Sequence, residues 1–216
     1  MVSSEATSIE QTCAQRLRDG ADLMEVAISE HQITQLTEYL SLFEKWNKTY
    51  NLSAVREVTQ MVDRHLLDSL SVVPYIDAEN IIDVGTGGGL PGIPLAIMFP
   101  EKEFTLLDSN GKKTRFLFQV KTQLRLNNVH IENTRVESYR PESLFDGVIS
   151  RAFSSLKDMT ENCHHLLNPD GVFYAMKGIY PQHELSDLEK HYKVSASYSL
   201  KVPREEGQRH LLVLTH

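Results

Sequence analysis

A glycine-rich loop directly follows an apolar run between residues 81 and 92, where the sequence reads IIDVGTGGGLPG. Gly85, Gly87 and Gly89 lack a Cβ atom, so the backbone there can turn sharply and approach a ligand closely. Pro91 suits the first turn of a following helix, where its missing N–H is not needed. The pattern predicts a strand, a loop and a helix that together hold a nucleotide-type ligand.

Two aspartates end apolar runs in this part of the chain. Asp83 lies at the end of IIDV, just before the glycines, where it can accept hydrogen bonds from a ligand amino group directly or through water. Asp108 ends FTLLD, where a carboxylate is positioned to accept both hydroxyls of a ribose. Asp108 can instead cap the next helix, a role that Ser109 or Asn110 fills equally well. The RVES segment at 135–138 can set backbone N–H groups beside an adenine.

The glycines alone fit several ligands. A phosphate-binding P-loop is excluded because no GK[ST] follows them. A dinucleotide fingerprint can be fitted to Gly87, Gly89 and Gly92, but the helix would then begin too late relative to Pro91. S-adenosylmethionine fits better, because it has no phosphates and the loop need only admit an amino acid and a ribose. A flavin or nicotinamide oxidoreductase stays as the alternative for this loop.

The charge balance excludes a protein that coats nucleic acid nonspecifically. The chain has 22 Lys and Arg against 29 Asp and Glu, a formal net charge of -7. One stretch nevertheless concentrates cations without any acid, between residues 111 and 125, where the sequence reads GKKTRFLFQVKTQLR. This pattern is typical either of the solvated face of an amphipathic helix or of a local basic contact surface.

Other residue types exclude further classes of protein. Cys13 and Cys163 lie far apart without a CxxC pair, so we expect plain thiols and neither a disulfide framework nor a zinc site. His164 and His165 have no metal-like partner spacing, and we expect structural roles and no metal. No uninterrupted apolar run of about 18 residues and no signal-like N-terminus occur, so we expect a cytoplasmic protein without membrane attachment.

The order of predicted elements indicates the fold. Apolar residues recur at three- and four-residue steps between His31 and Tyr50, a second helical pattern covers 61–73, and a further helix is predicted over about 181–190. From residue 81 onward short apolar runs alternate with amphipathic ones, which predicts a parallel sheet flanked by helices. The last two apolar runs, at 193–202 and 209–216, are joined by a linker too short for a crossover helix, so they should pair antiparallel.

We therefore predict a helical cap over residues 1–76 and a methyltransferase domain over 77–216, together one compact unit. A mostly parallel, Rossmann-like seven-stranded sheet that ends in an antiparallel hairpin is typical of class I S-adenosylmethionine-dependent methyltransferases, an α/β fold. That association rests on analogy of fold, since the same sheet serves many substrates.

Several motifs together resemble one known family. They read KWNKTYNLSAVRE, RHLLDSL, DVGTGGGLPGIPLA, TLLDSNGKKTRFL, RVES and DGVISRAFSSL, in chain order. Taken jointly, they resemble the RsmG (GidB) family of bacterial methyltransferases, which modify guanine N7 in the 530 loop of 16S ribosomal RNA. The resemblance runs from about residue 30 to the end of the chain, and the first 25 or so residues carry no matching motif.

The resemblance implies roles for individual residues. It implies that Gly85 and Leu90 line the methionine and ribose part of an S-adenosylmethionine site, and that Val136 and Glu137 meet the adenine. It implies that Arg151 lies at the mouth of the site. One position departs from the family, which often has Pro or Ala where this chain has Gly88, and we expect a more flexible loop as the effect.

Methylation of guanine N7 needs little acid–base chemistry, because this atom presents its own lone pair. We therefore expect no general base, and the sequence shows no Ser/His/Asp or Cys/His constellation. Arg151 follows the predicted fourth strand, where it can hold an RNA phosphate or guanine O6, or pair with an internal carboxylate. Phe153 can stack on a flipped-out base, although core packing is the reading we favour.

Five cations are candidate contacts to RNA phosphates. Lys112 and Lys113 lie beside Asp108, and Lys177, Arg204 and Arg209 extend the surface along the carboxyl edge of the sheet.

The predicted cap contains four polar residues within apolar helical faces. They are Asn47, Asn51, Arg64 and His65. Two roles are open to these residues: contact with RNA, or hydrogen bonds inside the protein. We favour internal bonds, because buried polar groups normally have protein partners.

Two other functions stay open at this point. The fold also permits methylation of a small molecule, and a ribosome-binding module could keep the cofactor site without turnover. If ribosomal RNA is the substrate, the negative net charge leads us to expect the assembled 30S subunit rather than naked RNA, and we expect the enzyme to be a monomer.

Overall fold

A computed structural model describes residues 2–188 and 192–216 of the protein. In this part of the chain seven strands form one sheet, in the order β3-β2-β1-β4-β5-β7-β6. The strands are β1 Asn80–Val84, β2 Glu103–Leu107, β3 Val129–Glu132, β4 Phe145–Ser150, β5 Leu167–Lys177, β6 Lys193–Ser199 and β7 His210–Thr215.

Six strands run in one direction, and β7 inserts antiparallel between β5 and β6. Strand β1 is central, and its last four residues are buried because helices cover both faces of the sheet. The class I arrangement and the final antiparallel pair predicted from the sequence are confirmed. The strand order reverses beside β1, since β2 lies on one side of it and β4 on the other. Ligands bind open α/β sheets at such a point.

The helices divide into a cap at the front of the chain and crossover helices between the strands. The cap contains α1 Val2–Leu23, α2 Glu30–Tyr50, α3 Val58–Met61, a π-helical segment Val62–Leu67 and α4 Asp68–Leu70. The crossovers contain α5 Gly92–Met98, α6 Gly111–Leu124 and α7 Leu156–Cys163.

The two helices predicted in the cap are present. Helix α2 begins with a capping box, in which the Ser29 side chain accepts from Gln32 N–H and the Gln32 side chain accepts from Ser29 N–H. Its buried residues follow the predicted spacing, with Ile33, Leu36 and Leu40 facing the core. The second helix starts slightly earlier than predicted and contains the π-helical segment, which local periodicity does not reveal.

The cap packs directly on the sheet domain. Helix α2 lies against α5 and α6, and α1 lies against the π-helical segment. One hydrophobic cluster joins residues of the cap, such as Leu36 and Phe43, to residues of the sheet and its helices, such as Ile81 and Phe116. The cap therefore shares a core with the sheet domain and can position residues at the sheet's edge.

The helix predicted over about 181–190 is wrong in the described part of that range. Residues Leu185–Asp187 form only one 3-10 turn, and 189–190 lie outside the described residues. Tertiary contacts decide this segment, because Glu184 turns back to accept from Leu156 N–H at 2.7 Å and to pair with Lys177 at 2.9 Å. These contacts compete with a continuous helix.

Candidate active site

A cleft of about 350 Å³ opens at the carboxyl ends of β1, β2 and β4. Its lining includes Gly85, Asp108, Val136 and Glu137, four residues that the sequence predicted at a cofactor site. Phe153 also lines the cleft, and its ring is half-buried against a second hydrophobic cluster, to which β4, β5 and α7 contribute. The strand ends thus bring the predicted residues together from four separate loops.

The glycine loop needs its glycines for backbone geometry. Gly85, Gly87 and Gly89 have φ angles of +72°, +61° and +91°, which residues other than glycine rarely adopt. A Cβ atom at Gly85 would also lie 2.8 Å from the Cβ of Ala152, across the cleft. The loop is held at its base by Gly85 N–H and Thr86 N–H, which both donate to Leu107 O.

Gly88 has a packing role that the sequence did not reveal. A Cβ atom there would lie 2.4 Å from Cε2 of Phe43, whose ring lies on α2. Tyr39, one turn earlier on α2, donates its hydroxyl to Gly88 O at 2.6 Å. The loop is therefore pinned to the cap, and the glycine at this position makes room for an aromatic ring.

Asp83 joins the loop to the helix behind it. Its carboxylate oxygen Oδ2 accepts from Thr86 Oγ1 at 2.7 Å and from Gly92 N at 2.9 Å. The side chain is buried, and its other oxygen, Oδ1, has no hydrogen-bond partner among the described residues. Burial raises the pKa of Asp83 to about 6, since the charged form loses hydration. A bond from Oδ1 to a ligand amino group stays a prediction.

Asp108 faces the cleft with its carboxylate partly engaged. Its Oδ2 accepts from Gly87 N at 2.9 Å, and Lys113 Nζ lies 3.4 Å from the same oxygen. Its Oδ1 accepts from Asn110 N at 2.8 Å. The cap of α6 is Asn110, whose side chain accepts from Lys112 N, so Asp108 is not the helix cap. Lone pairs are left on Asp108 for further donors.

Arg151 lies beside this cleft and is tied to the cap. Its guanidinium donates to Asp68 Oδ2 at 2.7 Å, and Arg209 donates to Oδ1 of the same carboxylate at 3.0 Å. Asp68 is buried, whereas both arginine side chains are 29% exposed. Arg151 and Arg209 line a second cavity of about 220 Å³. The next two residues in the chain after Arg151 line the cofactor cleft.

The other predicted RNA contacts differ in their surroundings. Lys177 pairs with Glu184 and donates to Ser154 O at 2.9 Å, and Arg204 pairs with Asp63 at 3.3 Å. Lys112, in contrast, has an exposed side chain. Four of the five predicted cations, Lys113, Lys177, Arg204 and Arg209, therefore pair with carboxylates of the protein itself.

The polar residues of the cap form internal hydrogen bonds, as we favoured. Asn47 is buried and bonds to Val55 O and Ser53 N, while His65 bonds to Ser53 Oγ at 2.8 Å. Burial lowers the pKa of His65 to about 4, because the charged ring loses hydration. Arg64 pairs with Glu205 at 2.9 Å and so links the cap to the final hairpin.

Asn51 ends α2 in a left-handed conformation and accepts a bond from Arg56. Cys13 and Cys163 are buried thiols, and burial raises the pKa of both. His164 and His165 bond to backbone carbonyls. Within residues 2–188 and 192–216 no cluster of His, Cys, Asp and Glu could hold a metal ion, and no helix is long and apolar enough to cross a membrane.

Tyr39 and Asp68 are two residues of the site that the sequence patterns did not predict. Tyr39 lies on the apolar face of α2 and gives no signal beyond its helical spacing. Asp68 does give one, because an acid within the apolar run HLLDSL is expected to be paired if it is buried. Its arginine partners are distant in the chain, so only the fold identifies them.

Most of the chain matches known proteins. A family model described as rRNA small subunit methyltransferase G (GidB) matches residues 32–212. The chain belongs to this GidB family. A relative named Ribosomal RNA small subunit methyltransferase G from Cellvibrio japonicus (strain Ueda107) is 59% identical over 213 residues, which cover 96% of this chain and 97% of the relative. One of the same name from Ectopseudomonas mendocina (strain ymp) is 55% identical over 209 residues, covering 96% and 98%.

Solved structures resemble this GidB-family chain in fold. A coclaurine N-methyltransferase bound to N-methylheliamine and SAH superposes with a TM-score of 0.56 at 9% identity, over 96% of this chain and 94% of that one. A putative O-methyltransferase from Klebsiella pneumoniae gives a TM-score of 0.56 at 13% identity, over 82% and 90%. These neighbours show the class I methyltransferase fold.

Proposed function

We propose that this protein transfers a methyl group from S-adenosylmethionine to N7 of a guanine in the 530 loop of bacterial 16S ribosomal RNA. The family match over residues 32–212 carries the proposal. The cleft at the carboxyl ends of β1, β2 and β4 supplies a site of suitable chemistry. We further propose that the enzyme works as a cytoplasmic monomer on the small ribosomal subunit.

The cleft fits S-adenosylmethionine on four observations. Because Gly85 has no side chain, the space between it and Ala152 stays open for a ligand. Asp108 presents free lone pairs for the ribose hydroxyls. Val136 and Phe153 give the cleft apolar surface for an adenine ring, with Glu137 beside it. Asp83 Oδ1, which is buried without a partner, suits a donor such as the amino group of the methionine part.

Leu90, like Asp83, Gly87 and Gly89, is not part of the cleft lining. It is buried in the larger hydrophobic cluster, so we propose that it supports the loop from behind. Gly87 reaches the site through its N–H, which orients Asp108. Gly89 has neighbours in Ile93 and Leu117 and turns the chain toward α5.

S-adenosylmethionine, when bound, supplies an electrophilic methyl group on a positively charged sulfur. Guanine N7 carries a lone pair in the plane of the base, so this chain need not remove a proton. The protein's task is to hold the base at near-attack distance and in line. Arg151 has N–H donors beyond the one bonded to Asp68, and we propose that they bind guanine O6 or the adjacent phosphate.

Methyl transfer to purified small subunits that lack the modification tests this function. Labelled S-adenosylmethionine provides the readout, and naked 16S RNA and small-molecule acceptors are compared at equal concentration. We expect transfer to subunits to be faster than to naked RNA, because a chain of net charge -7 is repelled by bare phosphates. Cofactor binding without transfer to any acceptor would instead indicate a binding module.

Arg151→Lys is a sharp variant for the same assay. Lysine keeps the charge but lacks the planar fork that binds two acceptors at once. We expect a lower kcat with unchanged S-adenosylmethionine affinity, since Arg151 lies outside the cofactor cleft. Equal rates for the variant and the wild type would remove Arg151 from the substrate site.

A further inference from the structure

The outer face of α6 combines exposed cations with an exposed aromatic ring. Lys112, Arg115 and Phe118 are exposed along this helix, and exposed Arg125 follows its last turn. Phe118 stands out because 52% of its surface is accessible, whereas the neighbouring Phe116 is fully buried. The helix thus packs one face into the core and presents a basic and aromatic face outward.

The cations of this face lack carboxylate partners. Lys112, Arg115 and Arg125 form no salt bridge in the described part of the chain, and each side chain is exposed. This differs from the carboxyl edge near the final hairpin, where Arg204 and Arg209 are paired with buried aspartates. Unpaired cations attract an external anion, whereas paired ones are already neutralised.

A second aromatic side chain flanks the face from the cap. Trp46 of α2 donates its indole N–H to Gln119 Oε1 on α6 at 2.9 Å. The ring of Tyr50 contacts that of Trp46 at a tilt, with ring centroids 4.9 Å apart, and Tyr50 is itself 43% exposed. Trp46 therefore links an exposed tyrosine ring at the end of α2 to α6.

We propose that this face binds ribosomal RNA outside the cofactor cleft. Lys112, Arg115 and Arg125 contact phosphates, while Phe118 and Tyr50 stack on unpaired bases. The proposal rests on the proposed function and names where its RNA substrate docks. Helix α6 spans about 20 Å at 1.5 Å per residue, enough to follow several successive phosphates. Phosphate contacts combined with stacking rings are the usual means of binding single-stranded nucleic acid.

The position of the face supports this docking. Helix α6 begins shortly after Asp108, and Lys113 of its first turn lines the cofactor cleft. The basic face is thus continuous with the mouth of the cleft, so RNA held there can present a nearby nucleotide to the site. The negative net charge of the chain confines RNA to such a local surface.

Binding of naked 16S RNA over a salt series tests the proposal, with the full-length protein. The double variant Lys112→Gln/Arg115→Gln removes two charges from the face. Its matched control is Lys193→Gln/Lys201→Gln, which removes two exposed cations beside β6, at the edge of the sheet opposite β3. S-adenosylmethionine affinity and thermal unfolding of each variant show that the cofactor site and the fold are intact.

We expect the α6 double variant to make the negative slope of log K against log salt shallower by about 1.4–1.8, with unchanged cofactor binding. The control should keep the wild-type slope. Phe118→Ala should weaken RNA binding by about tenfold without changing the slope, because stacking involves no counterion. Two signatures thus separate the phosphate contacts from the stacking contact.

Three results would overturn the proposal. One is an α6 double variant whose RNA affinity and salt dependence equal those of the wild type. Another is a control variant that loses as much RNA affinity as the α6 double variant. The third is a loss seen with assembled subunits but not with naked RNA, which would assign the face to a ribosomal protein. If the wild-type enzyme methylates no RNA at all, the proposed function fails; if it does and the variants bind normally, only the docking surface fails.

Discussion

Gly88→Ala tests the contact between the glycine loop and the cap. The new Cβ would lie 2.4 Å from Cε2 of Phe43 and 3.2 Å from its Cδ2 and Cζ. Carbon atoms in ordinary contact are about 3.5–4.0 Å apart, so the ring must retreat by about 1 Å or the loop must move. Phe43 is only 1% exposed and packs against the rings of Tyr39, Phe116 and His65, which leaves little room.

Overpacking of this kind costs about 1–3 kcal/mol. The reduced flexibility of the unfolded chain on replacing glycine offsets about 0.4–1 kcal/mol of that. We therefore expect Gly88→Ala to lower the free energy of unfolding by about 1–2 kcal/mol. For a chain of this length, Tm should fall by about 2–8 °C.

Denaturant unfolding of four proteins measures the effect: wild type, Gly88→Ala, Phe43→Leu and the double variant. The smaller leucine side chain should accommodate the new methyl group, giving a coupling of about 1–2 kcal/mol between the two positions. Gly178→Ala is the control, because no atom lies within 4 Å of a Cβ built there. An equal loss from Gly88→Ala in both backgrounds, or no loss at all, would show that Gly88 is not required to make room for the Phe43 ring.

Three further substitutions test charges around the site. With Asp83→Asn, the free energy of unfolding should fall more steeply than in the wild type as the pH is lowered from about 7 to about 4.5. The raised pKa of Asp83, about 6, favours the folded state as pH falls through that value, while the lowered pKa of His65, about 4, costs stability below about 6.5. Unfolding curves at several pH values measure this, and parallel profiles for variant and wild type would contradict it. Asp68→Asn should cost about 1–3 kcal/mol in denaturant unfolding, because two partly exposed arginines lose their shared buried carboxylate; an unchanged midpoint would show that solvent replaces it. Asp108→Asn should raise the Kd for S-adenosylmethionine about tenfold in calorimetry, through weaker bonds to the ribose, and wild-type affinity would exclude Asp108 from the cofactor site.

The sequence predicted most of the fold because its alternation of apolar runs is local. Strand β1, the glycine loop and α5 follow one another without interruption, and each has a clear pattern of its own. The helix over about 181–190 was wrong because Glu184 is drawn into contacts with Leu156 and Lys177 that its neighbours do not reveal. The π-helical segment also lacks a local signal, since it differs from an α-helix only in hydrogen-bond register.

The site, too, contains some residues that local sequence patterns predict and others that depend on distant parts of the chain. Gly85, Asp108 and Val136 could be predicted together because the carboxyl ends of neighbouring parallel strands meet at one edge. The surroundings of Arg209 could not, because Asp68 lies 141 residues away in the chain. Sequence patterns identify a cation but not the carboxylate that neutralises it, so predictions about RNA contacts needed the structure most.

Mapping the methylated nucleotide tests the proposed function most directly. Small subunits that lack the modification are incubated with the protein and labelled S-adenosylmethionine, and the RNA is then cleaved chemically at N7-methylguanine. We expect cleavage and label at one guanine in the 530 loop. Label on another base or atom, or no label from a protein that binds the cofactor, would contradict it.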